Sequence, residues 1–176
     1  MSTSAKALLH RHSLPIAHAA VVAARANPSL PYHGAEHCVR TADRAARLAA
    51  WLGLDPRPLL VAGLYHDLNH AGPAWPDLVS VESSVLVWVT DGMRVQRRAR
   101  YWRTPEGLQD DVVRLIRATR WPHETTDQVD ELVLRDADLA ETLDPQWLGR
   151  LAAETGAPAD PAFAANHLRW PEFFEL

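Results

Sequence analysis

Apolar residues recur along this chain at spacings of three and four, and proline and glycine cut that rhythm into short stretches. The first stretch predicts helix between Ser4 and Ala26, interrupted near Pro15, followed by a loop at Asn27-Pro28-Ser29-Leu30-Pro31. A second helix is expected from Gly34 to Leu52, ending at Gly53, with Ala42, Ala45, Ala46, Leu48 and Ala49 as strong formers or core-facing residues. A third runs from Pro56 to about His70, where Ala71-Gly72-Pro73 ends it. Its segment Leu59–Leu64 is apolar and free of proline, and reads as buried. A fourth covers Asp77 to Thr90 and stops at Asp91-Gly92. Val81, Val85, Val87, Trp88 and Val89 make this the one place where a strand can be argued, but Glu82-Ser83-Ser84 breaks the alternation a strand needs. Further helices are expected over Pro105–Ala118 and Asp127–Leu143 and after Asp144-Pro145, with a partly helical tail from Pro158 to Leu176. No Asn-Gly or Asp-Gly hairpin and no domain linker interrupts the series. The pattern predicts one all-α domain over residues 1–176, a compact bundle of about six to eight short helices.

Composition narrows the setting. Hydrophobic residues make up 47% and charged residues 23% of the 176, which excludes disorder for the bulk of the chain. Cys38 is the single cysteine, so no internal disulfide can form and nothing points to an oxidising compartment. Met1–Leu14 lacks the apolar core of a signal peptide, and no stretch approaches the ~20 apolar residues of a membrane span. A soluble cytoplasmic protein with no membrane partner is expected. The net charge of -4 argues against a stable nucleic-acid complex. Lys6 is the only lysine among the basic residues; arginine binds phosphate bidentately as lysine cannot, although a coding bias explains the same excess.

Histidines and carboxylates gather in three places: Tyr32-His33-Gly34-Ala35-Glu36-His37, Leu64-Tyr65-His66-Asp67-Leu68-Asn69-His70 and Leu134-Arg135-Asp136-Ala137-Asp138-Leu139-Ala140. Adjacent residues of a helix diverge by ~100°, so His66 and Asp67 grip one ion only if the helix end faces it. His70 lies one turn beyond His66, and His33 one turn before His37. A buried helix that delivers such groups at its end must satisfy them, and a metal does so. Imidazole and carboxylate ligands suit Zn²⁺, Mn²⁺, Fe²⁺ or Co²⁺ better than Mg²⁺ alone. Two histidines and two aspartates leave coordination positions open for water and substrate, the pattern of a catalytic site.

The order His, then His-Asp, then Asp on an all-α chain resembles the HD phosphohydrolase superfamily, over Tyr32 to about Leu143. The resemblance implies His37, His66, Asp67 and Asp136 as ligands of one or two divalent ions, with Ni²⁺ and Mg²⁺ also admissible. The pairs YHxxxH and HDxxH are similar to those of cyclic-nucleotide phosphodiesterases, which implies His33 as general acid to the leaving oxygen and His70 beside the metals. Ala118-Thr119-Arg120-Trp121-Pro122-His123, followed by the third cluster, resembles small bacterial HD proteins in which such a histidine faces the pocket. By the same resemblance Glu82 stands where relatives carry a functional glutamate. The chain is about half the size of a phosphodiesterase catalytic domain and shows no recognisable purine-clamping glutamine after Asp136; Gln146 is the nearest.

The expected activity is metal-dependent hydrolysis of a phosphoester in a nucleotide or related small molecule, phosphodiesterase-like, with Asp67, His33, His70 and Glu82 as catalytic groups. Arg40, Arg97, Arg98 and His123 are the expected substrate contacts. Nucleotide phosphatase or triphosphohydrolase action is the neighbouring alternative; a di-iron oxygenase and a non-catalytic nucleotide-binding module are the others. Asp138 lies two positions from Asp136, so it faces elsewhere and reads as a cap or ion-pair residue. Arg94, Arg97, Arg98, Arg100 and Arg103 with Tyr101 and Trp102 offer either a phosphate-holding flap or a solvated face. Trp170 and Phe173-Phe174 are the one hint of a homo-oligomer.

Overall fold

The computed structural model describes residues 3–72, 75–99 and 107–157. The expected tail from Pro158, with Trp170, Phe173 and Phe174, and the stretch Arg100, Tyr101, Trp102 and Arg103 lie outside the described residues. The expectation of an all-α protein holds, and among the described residues no strand occurs. The helices are α1 (Thr3–Arg11), α2 (Ala17–Arg25), α3 (Ala35–Trp51), α4 (Pro56–Tyr65), α5 (Asp77–Val87), α6 (Met93–Arg98), α7 (Leu108–Ala118), α8 (Val129–Leu139) and α9 (Trp147–Thr155).

α4 is the axis of the fold. It starts where Asp55 accepts the Arg57 N–H and Pro56 takes the first helical position, which has no amide partner to lose. Every residue from Leu59 to Tyr65 is buried, so the helix is apolar all round rather than striped. α3 packs along it through small residues: Ala42, Ala45, Ala46 and Ala49 are all buried. Gly63 of α4 completes this close approach, because a Cβ there would fall 2.7 Å from Ala42 Cα. Replacing Gly63 by alanine is expected to cost about 1–3 kcal/mol of stability through overpacking, measured as a lower urea midpoint at unchanged slope. α7 and α8 close the other sides with Val112, Leu115, Ile116, Val133, Leu134 and Ala137, all buried.

Two helix ends differ from the sequence expectation. α4 stops at Tyr65 rather than near His70. Asn69 adopts the left-handed conformation, with φ 63°, and gives its N–H to Arg25 O at 2.9 Å, so the helical ladder gives way to tight turns over residues 66–70. The fourth helix does not stop at Asp91-Gly92 either. It widens into a π-helical turn over Trp88–Gly92 and runs on as α6. Gly92 makes room for the buried Trp88, whose ring a Cβ there would meet at 2.2 Å. No helix among the described residues is long and apolar enough to cross a membrane.

Candidate metal centre and pocket

Three elements end at one point. α3 brings His37 on its first turn, the turn after α4 brings His66 and Asp67, and the last turn of α8 brings Asp138. His37 Nε2 lies 3.1 Å from His66 Nε2. Asp138 Oδ1 lies 2.9 Å from the first of these nitrogens and 3.3 Å from the second. Asp67 Oδ2 lies 3.2 and 3.3 Å from the same two. The early end of α4 is what allows this: His66 and Asp67 stand on a turn instead of diverging around a helix.

This donor set fits a divalent cation. His66 Nδ1 sits 2.9 Å from Gly63 O and donates to it, which leaves the Nε2 lone pair facing the cluster. Asp67 Oδ2 is buried without a hydrogen bond. Two imidazole nitrogens at 3.1 Å with two carboxylate oxygens around them need positive charge in their midst, as protons or as an ion. The protein's own charges show the same demand. Burial works to lower the pKa of His37 and His66, yet Asp67 and Asp138 outweigh it and hold both above the ordinary histidine value. Burial likewise works to raise Asp67, but His66 and His33 hold its carboxyl well below the usual range.

Asp138 replaces Asp136 in the expected ligand set. The carboxylate oxygens within 3.3 Å of the two imidazoles belong to Asp67 and Asp138, while Asp136 is buried on another side of α8. The two-residue offset places Asp136 and Asp138 on different faces of α8, and it is Asp138 that stands beside the imidazoles. The apolar stripe does not choose between them, because Asp136 follows the core residue Val133 by three positions as Asp138 follows Leu134 by four. The reading of Asp138 as a cap is corrected accordingly.

Asp67 and Asp138 of the cluster line a cavity of about 320 Å³, with the two imidazoles buried behind them. His33, His70 and His123 line it. His33 and His70 are stacked, with centroids 4.4 Å apart and planes at 9°. Sequence reasoning missed Glu154 of α9, which is 121 residues from His33 and belongs to no motif. Its Oε2 accepts the N–H groups of Tyr32 and His33 at 3.0 Å each, and its Oε1 lies 2.5 Å from His33 Nδ1. Burial pushes the Glu154 carboxyl up, but the bonds to His33 outweigh it and keep it ionised below its ordinary value. His33 therefore donates through Nδ1 and turns Nε2 to chemistry. His70 has the opposite tautomer: its Nδ1 accepts the Gly72 N–H at 2.8 Å, so Nε2 carries the proton of the neutral ring. Burial lowers the His70 pKa and favours that neutral form. His33, His70 and Glu154 are close enough to hold a second cation. Their hydrogen bonds instead use the lone pairs of Glu154 Oε2 and His70 Nδ1 to orient the two rings.

Other expected site residues lie elsewhere. Arg40 is not at the pocket: its guanidinium grips Glu141 at 2.6 and 3.0 Å, because that carboxylate is fully buried and draws Arg40, Arg44 and Arg150 around it. Glu82 pairs with Arg117 at 2.7 Å on the rim of a separate cavity of about 570 Å³. That larger cavity is lined by arginines and carboxylates bonded to one another. Arg97 and Arg98 are exposed on α6; Arg98 borders a third pocket beside Pro15 and Val21, away from the histidines. The described half of the expected arginine flap is thus a solvated face.

A family model for the HD domain matches residues 34–146, the span from the start of α3 to just before α9. The chain belongs to the HD-domain family. Neither a curated protein nor a solved structure matches it. HD domains are a metal-dependent phosphohydrolase superfamily, and this member carries His/Asp clusters that can hold a divalent ion. His33 and its partner Glu154 both lie outside the matched span.

Proposed function

We propose that this HD protein hydrolyses a phosphoester of a nucleotide or related small molecule, with a divalent ion held by His37, His66, Asp67 and Asp138. The observation that supports the reading is that one cavity is lined both by Asp67 and Asp138, the carboxylates that converge on the His37 and His66 nitrogens, and by the His33–Glu154 pair. When bound there, a divalent ion supplies Lewis-acid polarisation of a phosphoryl oxygen and acidifies a coordinated water. The protein's own groups do the rest. Ionised Glu154 holds the His33 ring through Nδ1, which leaves Nε2 as the nitrogen placed to pass a proton to a departing alkoxide. His70, held as the Nε2–H tautomer, offers a hydrogen bond to a phosphoryl oxygen. Tyr32, buried and stacked on His37 at 5.2 Å, keeps that ring in place. The pairing of His33 with His70 favours cleavage of a phosphodiester or monoester with a poor leaving group.

Two measurements test this. Chelation is expected to abolish turnover, and Mn²⁺, Co²⁺, Zn²⁺, Fe²⁺, Ni²⁺ or Mg²⁺ added singly to restore it and name the ion. His33→Gln is expected to lower kcat on an alkyl phosphoester by roughly 10²–10⁴-fold. On a p-nitrophenyl ester, whose leaving group needs no proton, the same variant should lose far less. Equal losses on both substrates would remove His33 from the acid role.

A further inference from the structure

The same cavity has lining residues that the phosphoester chemistry does not use. Trp75 and Trp121 line it and are 41% and 44% exposed. Trp121 meets His123 edge to face at 5.1 Å. Between them stands the first turn of α5. Asp77 Oδ2 accepts the Trp121 N–H at 2.7 Å, which ties this turn to the segment carrying Trp121. One turn further along, Ser80 also borders the cavity. Ser80 is 2% exposed and its hydroxyl has no hydrogen-bond partner in the protein. A buried hydroxyl left unsatisfied is costly, and a polar ligand edge in the cavity would relieve it.

We infer that these lining residues form a nucleobase subsite, in which a planar base stacks on Trp75 and Trp121 and presents its hydrogen-bonding edge to Asp77 and Ser80. The inference rests on the phosphohydrolase reading only for where the phosphate sits. Aromatic faces accept any base, since every base has a π-face. The α5 turn adds selectivity. A carboxylate oxygen accepts a ring N–H, and a hydroxyl three residues along the helix donates to a neighbouring carbonyl. A ring N–H beside a carbonyl is the edge of guanine, hypoxanthine and uracil. Adenine and cytosine place an acceptor nitrogen where that N–H would be, opposite the carboxylate. The substrate class is therefore a nucleotide with an oxo base, its phosphate towards His33 and His70.

The test uses guanosine, which has no phosphate to hydrolyse, with the full chain in the absence of added metal. Isothermal titration should show guanosine binding where ribose does not, and Trp75→Ala and Trp121→Ala each weakening it about ten- to a hundredfold. Both side chains are substantially exposed, and an unchanged melting temperature would confirm that the variants fold. Asp77→Asn keeps an oxygen for the Trp121 N–H but replaces an acceptor with a donor. It should lower the preference for guanosine over adenosine by tenfold or more, an effect that loss of structure would not produce. Guanosine binding no tighter than ribose, or binding indifferent to both tryptophan variants, would overturn the subsite. Intact guanosine binding without turnover of any phosphoester would instead strike the phosphohydrolase reading.

Discussion

Asp138→Asn is expected to lower phosphoester hydrolysis by about a thousandfold or more, while Asp136→Asn leaves the metal in place. The size follows from the electrostatics: a bound divalent ion contributes several kcal/mol to a phosphoryl transition state, and about 4 kcal/mol is a factor of a thousand. Asp138 Oδ1 lies within 3.3 Å of both imidazole nitrogens, so its charge holds the cluster together. An asparagine keeps the shape and loses the charge. Metal content measured on the purified variants separates the two positions, because Asp138→Asn should emerge largely metal-free. Asp136 is buried at 5% exposure, so its variant is compared at equal folded fraction. Retention of metal and rate by Asp138→Asn, with loss in Asp136→Asn, would return the ligand role to the residue the sequence suggested.

The second large effect concerns stability and sits on the other side of α4. His18 is fully buried; its Nδ1 lies 2.8 Å from the Tyr65 hydroxyl, its ring stacks near Trp88, and its Nε2 has no partner. Burial pushes its pKa down from 6.5 to about 4. Above pH 6.5 the ring is neutral folded or unfolded, and the native state has its full stability. As pH falls from 6.5 towards 4, the unfolded chain takes up a proton that the folded chain refuses, so stability falls with it. The expected loss is about 2–3 kcal/mol by pH 4.5. Urea unfolding of the wild type and of His18→Gln, at pH 7.5 and 4.5 with chelator present in both, isolates it. The variant should lose about 2–3 kcal/mol less between the two pH values, whatever its stability at the higher one. Equal losses would place the acid sensitivity elsewhere.

The helices were legible because periodicity records burial. The alanines of α3 and the apolar run of α4 announce a tightly packed pair before any coordinate is seen. Boundaries were less legible where tertiary contacts override local preference. Asn69 is held left-handed by a bond to Arg25, 44 residues away, and Trp88 needs Gly92 beneath its ring to pass through a π turn. In the candidate site, the family resemblance implies His37, His66 and Asp67, and the structure brings these three together. Glu82 and Arg40 were misread because a charged side chain in a sequence does not show its partner; here Arg117 and Glu141 take them up.

The sequence by itself determined an all-α chain of the HD order, with histidines placed one turn apart at two helix ends. Those are properties of local geometry, set by residue type and spacing within a few turns. Only the tertiary structure decided that Asp138 and not Asp136 stands beside His37 and His66, that Glu154 holds His33, and that Trp75, Asp77, Ser80 and Trp121 line one cavity. The reason is distance along the chain. These partners come from α5 and the segment before it, from α8 and α9 and from the loop after α7, and they meet at the end of the buried helix α4, where the turn carries His66 and Asp67.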